Sequence, residues 1–410
     1  MISTMLAAAL AAGAPQAGLA DQLAANRSDL WVRDSRLAGP GTAVLAIATE
    51  GAAFVFLGED HGVAQVAQFA TALHGMLQPR GFDTLAIEVG PYSARQLSAA
   101  LRRPDAAEAH AAFLRDHPMS IAFYDTSEEF DFLRAAAAAS GKKFRLIGFD
   151  QELMGNGKAL LEALREQDLP PHIAARVSEM MTAEQDALAD AKGAGRPDLL
   201  YMMTAPIQEL LDMQTALKQA RLDSTPMDNL LASRAIYEEF SRDGYASNVR
   251  RSLLMRQYFT AAGGAEPGRK VLLKAGGEHA FKGLNPLRNR DLGNFVAELA
   301  EGLQQKSVHI LMFAASGQQL TFAGAGKPMR PVKIDLKSKD PMLPGVKPFL
   351  KTAAKHPKSW SLFDLRPLRS RFRTLGPVAP ELEKVLYGFD FVIVVPQGQP
   401  SHELRATLSP

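Results

Sequence analysis

Apolar residues in this chain fall into two patterns: short unbroken runs, and longer stretches in which they recur every three or four positions. The runs are Phe54-Val55-Phe56-Leu57, Thr84-Leu85-Ala86-Ile87, Phe144 to Phe149, Lys270 to Lys274, Val308 to Phe313 and Phe389 to Val395. An unbroken run suits a strand buried on both faces, as in a parallel sheet. Between the runs the spacing turns helical. Val63, Val66, Ala70, Leu73 and Leu77 share one face, and Tyr92 to Arg102, Ala106 to Asp116, Ser127 to Ser140 and Asp291 to Leu303 read as helices, with Ser127-Glu128-Glu129 as a cap and acidic first turn. Strands alternating with helices predict an α/β fold: a mostly parallel sheet flanked by helices.

From about Leu153 to Ala262 no strand-like run occurs. Ile173 to Ala191, Asp198 to Ala220, Pro226 to Phe240 and Tyr245 to Ala261 instead carry helical spacing, separated by Gly or Pro. The expectation is a helical insertion lying over the C-terminal edge of the strands. The predicted organisation is a leader over 1–20, the first half of the α/β domain over 21–152, the insertion over 153–262, and the second half over 263–410 with a basic, loop-rich tail. Asp21 to Leu37 reads as a polar surface helix, stopped by Gly39-Pro40-Gly41, and Lys327 to Pro357 as long loops.

Composition changes this picture only at the edges. The chain has 410 residues, 47% hydrophobic and 22% charged, which is ordinary for a globular protein with a large core. The net charge of +2 hides an asymmetry: Lys327 to Arg373 holds 13 Lys or Arg against 3 Asp or Glu, leaving about −8 for the rest. Such a face is solvated, or forms an anion-attracting rim. Aromatic residues are not interleaved with it, so nucleic acid is set aside. With 0 cysteines, disulfides, thiolate nucleophiles and cysteine metal sites are excluded. Met1 to Ala20 carries an apolar run and a Gly18-Leu19-Ala20 cleavage-like end, which reads as a signal peptide and a periplasmic or secreted product. The run has no preceding Lys or Arg, which leaves a cytoplasmic chain as the alternative. No later run reaches the ~18 apolar residues of a membrane helix, so no integral membrane segment is expected in the mature chain.

Candidate chemistry gathers where the apolar runs end. The first run enters Gly58-Glu59-Asp60-His61-Gly62, the second stops at Glu88, the third at Asp150, and the fourth leads to Gly277-Glu278-His279. If the strands are parallel, Glu59, Asp60, His61, Glu88, Asp150 and His279 emerge at one edge of one sheet, where open α/β sheets bind ligands. Each alone would suit a cap or a hydrogen-bonded core group. Together, carboxylates and imidazoles are costly to desolvate for packing alone, and such clusters tune pKa values.

Leu57 to Leu97 resembles the opening of the erythromycin esterase family, and of the wider superfamily that includes the ChaN-like haem-binding lipoproteins and the TraB/TIKI group. The shared features are Gly58-Glu59, His61-Gly62, Gly81-Phe82 and Ile87-Glu88. Later, Leu146 to Asp150 is similar to the third strand, Arg251 with Met255 to an arginine-bearing helix, Glu278-His279 to a strand-end histidine pair, and Phe389-Asp390 to the opening of the last strand. Only Asp60 separates Glu59 from His61, a spacing closer to the ChaN-like members. Gly276 stands where the esterases have the first distal histidine, and Tyr258 where they have Asn.

The resemblance implies a hydrolase acting on an ester or related carbonyl of a small molecule. In that reading His61 is the base that takes a proton from water, Glu59 or Glu88 orients it, and His279 or Arg251 polarises the carbonyl. No cofactor is expected for it. Glu59, His61, Glu88 and His279 also form a mixed N/O set that a divalent metal would accept, with bound water as nucleophile. The ChaN-like relatives imply a third reading, a haem or metal binder without turnover. Gly324-Ala325-Gly326-Lys327 lacks the phosphate-loop spacing and reads as a plain loop.

Overall fold

Six apolar runs become six parallel strands, and they set the frame. The computed structural model describes residues 18–335, 343–370 and 378–404. Its strands are β1 (Arg27–Arg33), β2 (Arg36–Ala38), β3 (Ala52–Glu59), β4 (Thr84–Ile87), β5 (Arg145–Gly148), β6 (Val271–Gly276), β7 (Lys306–Ala314), β8 (Gln318–Thr321), β9 (Arg330–Lys333), β10 (Trp360–Asp364) and β11 (Phe391–Val395). Nine of them form one sheet in the order β2-β1-β10-β11-β7-β3-β6-β4-β5. From β11 to β5 every pairing is parallel, whereas β10, β1 and β2 continue the β11 edge antiparallel. The fold is therefore α/β, with a large, mostly parallel mixed sheet flanked by helices.

Both faces of the central strand β3 are buried, and alternation decides which residue meets which layer. Val55 and Leu57 join a core with Val66, Phe69 and Leu73 of the helix Ala64–Leu77 and with Phe130 and Leu133 of the helix Ser127–Ser140. Phe54 and Phe56 face the opposite core, with Phe259 of the helix Gly244–Ala261 and Val296 of the helix Leu292–Gly302. Burying each such side chain contributes about 1.5–3 kcal/mol. A separate core, containing Leu160, Val177, Leu210, Met213 and Leu230, holds the helices between residues 157 and 242 together. No helix among the described residues is long and apolar enough to cross a membrane.

Three expectations fail. Asp21 to Leu37 is not one polar helix: after a short helix, Leu19–Ala25, the chain forms the hairpin β1–β2 around Asp34 and Ser35, which have φ of 50° and 56°. Leu30 is fully buried where β1 pairs with β10, so tertiary pairing overrides the polar composition. The Lys327 to Pro357 segment is not all loop. Arg330–Lys333 pairs with β8, and Leu343–Ala353 is a helix whose Val346, Phe349 and Ala353 are buried, a spacing its prolines obscured. Asp198 to Ala220 is in three pieces: a 3₁₀ turn, Pro197–Leu199, a short helix, Tyr201–Thr204, and the helix Ile207–Gln219, which follows Pro206. Residues 1–17 of the expected leader lie outside the described residues, as do 336–342 and 371–377 of the basic tail.

Candidate active site

Register explains why distant residues meet. Glu59 lies opposite Gly276 across β3 and β6, and Ile87 lies opposite Lys274 across β4 and β6, so Glu88 emerges one step beyond Lys274. Glu59, His61, Glu88, Asp150 and His279 all leave the sheet at this edge. Arg251 arrives from the helix Gly244–Ala261.

The Glu88 carboxylate is the junction. Its Oε1 accepts from Arg251 Nη2 at 2.9 Å and lies 3.3 Å from His279 Nε2. Oε2 accepts from the Gly276 N–H at 2.6 Å and lies 3.6 Å from His61 Nε2. Burial would raise the Glu88 pKa, but the His279, His61 and Arg251 charges outweigh it and hold the carboxyl well below the usual range. Arg251 is itself tied to Asp150, from Nε to Oδ1 at 2.9 Å and from Nη2 to Oδ2. No described residue takes a hydrogen bond from its Nη1, which leaves those N–H groups for another acceptor.

His279 is placed differently. Its Nδ1 lies 2.7 Å from Asp291 Oδ2, and Asp291 also caps the following helix through the Leu292 N–H. Burial opposes a charge on this ring, yet Asp291 and Glu88 outweigh it and push the pKa up to about 10. Both ring nitrogens therefore point at carboxylates. Because the folded pKa is above the ordinary 6.5, this group's stabilisation is full below that pH and is lost as pH rises toward 10. We expect urea unfolding to show a fall in stability between pH 6.5 and 10 that is smaller in His279→Gln; equal falls in the two proteins would remove His279 as the cause.

His61 is hydrogen-bonded at one ring nitrogen, while its other lies 3.6 Å from Glu88 Oε2. Nδ1 is 2.9 Å from Glu59 Oε1, which assigns the proton to Nδ1 and leaves Nε2 as the acceptor in the neutral ring. The ring stacks on Phe123 with centroids 3.7 Å apart. Phe123 has φ 62°, a strained state for a bulky residue, and strain of this kind collects at functional sites. Burial opposes the imidazolium, but the Glu59 hydrogen bond and the Glu88 and Glu59 charges outweigh it, so His61 holds its proton above the ordinary histidine range.

The side chain of His61 is 31% exposed and lines one end of a cavity of about 820 Å³, whose wall includes Met119, Phe123, Met154, Phe322 and Met329. A second, polar pocket of about 110 Å³ shares Phe123 and Leu153 with it and is lined by Glu88, Ser93, Ser120, Asp150, Tyr237 and Arg251. Gly276 keeps the ground in front of His61 clear: a Cβ there would stand 3.0 Å from Nε2. Gly62, with φ 78°, lets the chain turn under β8, since a Cβ would come within 2.1 Å of the Leu320 carbonyl.

Four participants are not singled out by sequence reasoning. Lys274, 2% exposed, pairs with Glu59 Oε2 at 2.5 Å and donates to Glu129 Oε1 at 2.8 Å. Glu129 reads in the sequence only as part of an acidic helix start. Asp291 and Phe123 complete the set. One signal is available: Lys274 is a cation inside a strand that should be buried on both faces, which demands a buried anion.

The metal expectation meets a poor donor set. Glu59 is taken by Lys274 and His61, Glu88 by Arg251, His279 and a backbone N–H, and both His279 nitrogens by carboxylates. Among the described residues no group of three or more His, Asp or Glu side chains could hold a metal ion.

Comparison with solved structures places this architecture. A variant of the erythromycin esterase EreC in its open conformation matches with TM-score 0.63 and 17% identity over 92% of this chain and 99% of that one. The fold is erythromycin esterase-like. Two further structures share the esterase-like fold: a Bacillus cereus protein (TM-score 0.60, 15% identity, 94% of this chain and 98% of that one) and a succinoglycan biosynthesis protein (TM-score 0.58, 18% identity, 93% and 97%). No protein-family model and no curated protein matches the chain by sequence. At these identities the likeness to the esterase-like structures is one of fold.

Proposed function

We propose that the chain is a hydrolase of a carboxylic ester with a bulky apolar part, in which His61 activates water. The observation that carries this reading is the asymmetry of His61: a buried carboxylate 2.9 Å from Nδ1, no hydrogen bond at Nε2 from a described residue, and a part-exposed ring that lines a cavity with Met119, Phe123, Met154 and Phe322 in its wall. Neutral His61 takes a proton from water at Nε2 as the water attacks the carbonyl carbon, and Glu59 stabilises the imidazolium that results. The unused N–H groups at Arg251 Nη1 polarise the carbonyl oxygen and offset its developing charge. His279, with both nitrogens on carboxylates, holds Glu88 rather than the substrate. The tetrahedral intermediate then expels the alcohol, which takes back the proton from His61.

Activity should rise with pH through the titration of His61, and that rise should lie above pH 6.5, because Glu59 and Glu88 raise its pKa from that value. The test is a panel of esters graded from acetyl to long-chain and macrocyclic, assayed with the purified chain in a chelator. The expected result is turnover that favours the larger apolar members and is indifferent to the chelator. Turnover that requires added metal, or none above the His61→Asn background, would sink the proposal.

A further inference from the structure

Beside the proposed base lies a buried set of charges of which the hydrolytic reading uses only Glu59; Glu129, at its far end, also lines the cavity. Lys274 sits on β6 with its Nζ 2.5 Å from Glu59 Oε2 and 2.8 Å from Glu129 Oε1, over the Tyr124 ring at 5.6 Å. Glu59, Lys274 and Glu129 are all at least nine-tenths buried. We propose that Lys274 and Glu129 are positioning residues for the base: Lys274 draws on the Glu59 charge that would otherwise act on the His61 imidazolium, and Glu129 regulates how much of the Lys274 charge reaches Glu59. The inference rests on the hydrolase reading of the same site.

The argument is one of counting charges among buried side chains. Two carboxylates share one ammonium, so one of them lacks a full counterion. Glu59 has His61 as a second partner, at 2.9 Å. The Oε2 atoms of both carboxylates are buried without a hydrogen-bond partner, so the difference lies in that second partner: among the described residues Glu129 has an ion pair with Lys274 alone. The shortage of countercharge therefore falls on Glu129, whose pKa burial and the Glu59 charge push up to about 7, against the pull of Lys274. Glu59 stays below the usual range because Lys274 and His61 outweigh its burial. Near neutral pH, proton uptake by Glu129 leaves the full Lys274 charge on Glu59, which weakens the hold of Glu59 on the imidazolium.

The groups that face His61 are Glu59 from β3, Glu88 from beyond β4, Lys274 from β6 and the uncharged Phe123 ring; those that face Glu129 are Lys274, Glu59, His61 and Tyr124. Removing a negative charge from this set should make His61 easier to deprotonate. Removing the positive one should make it harder.

The experiment follows the His61 ring resonance by NMR against pH in the full chain, identifying it as the signal lost in His61→Asn, alongside the pH profile of kcat/KM. Glu129→Gln keeps size and removes the ionisable carboxylate; it is expected to move the His61 titration down by about one pH unit, and the acid limb of the rate with it. Lys274→Met should move both up. A merely structural role would leave the titration in place, so no shift in folded Glu129→Gln overturns the inference, and so do shifts of the same sign in both variants. If Lys274→Met does not fold, Glu129→Gln decides alone. Opposite titration shifts in a chain without ester turnover would uphold the relay and remove the hydrolase, whereas turnover with no titration shift would remove the relay alone.

Discussion

Exchanging His61 for asparagine is expected to lower kcat/KM for the preferred ester by about 10²–10⁴-fold, the usual contribution of a positioned base. The residual rate should no longer rise with pH through a histidine titration. The asparagine side chain can still fill the space against Phe123 and accept or donate one hydrogen bond toward Glu59, so the fold should survive. His61 is 31% exposed, and no core side chain is removed. Thermal unfolding and circular dichroism would establish that the variant is native, and stopped assays over about pH 5 to 9, a range that spans the histidine titration, would give the profile. Equal profiles for the two proteins would end the assignment of His61 as base, whatever the fold.

Lys274→Met should be the most destabilising single change near the site, by about 3–5 kcal/mol at pH 8. The apolar part of the methionine matches the lysine stem, so the loss is electrostatic: Glu59 and Glu129 remain buried with no ammonium between them. The sign with pH follows from the same charges. Without Lys274 the folded pKa of Glu129, which has no other ion-pair partner among the described residues, rises further above its unfolded value, so the folded state gains relative stability where it is protonated and loses it as pH climbs through that value. The variant should therefore be less impaired at about pH 5.5 than at about pH 8. Denaturant midpoints at the two pH values measure this, and a deficit that is constant, or larger in acid, would show that Lys274 does not act through these carboxylates. The parent contains a muted form of the effect, since Glu129 already titrates at about 7.

Much of the frame was legible because it is written in local pattern. Thr84-Leu85-Ala86-Ile87 and Phe54 to Leu57 are apolar without interruption, and only a strand covered on both faces can use such runs; β4 and β3 are those strands. Edge strands were not legible. β1 reads Arg-Ser-Asp-Leu-Trp-Val-Arg and buries only Leu30 fully, so its strand state comes from pairing with β10, more than 300 positions away. The helix Leu343–Ala353 was hidden by its own Pro344 and Pro348, which propensity counts against a helix while packing of Val346 and Phe349 favours it.

The candidate site divides along the same line. That an acid or a histidine closes each of several apolar runs is a property of the amino-acid order, and with parallel strands it forces those groups to one edge. Which of them is free to act is not. His279 and Arg251 looked equivalent as carbonyl polarisers, and only the positions of Asp291 and Asp150 show that the histidine has both nitrogens engaged while the arginine keeps Nη1. Lys274 and Glu129 lie 145 positions apart, and nothing along the chain couples them. A buried charge is costly alone and tolerable beside its opposite, so its meaning resides in its partner, and partners are chosen by strand register and helix docking. The order of residues determined the sheet and the edge at which its ionisable groups emerge; the packing decided which of those groups hold one another and which face the cavity.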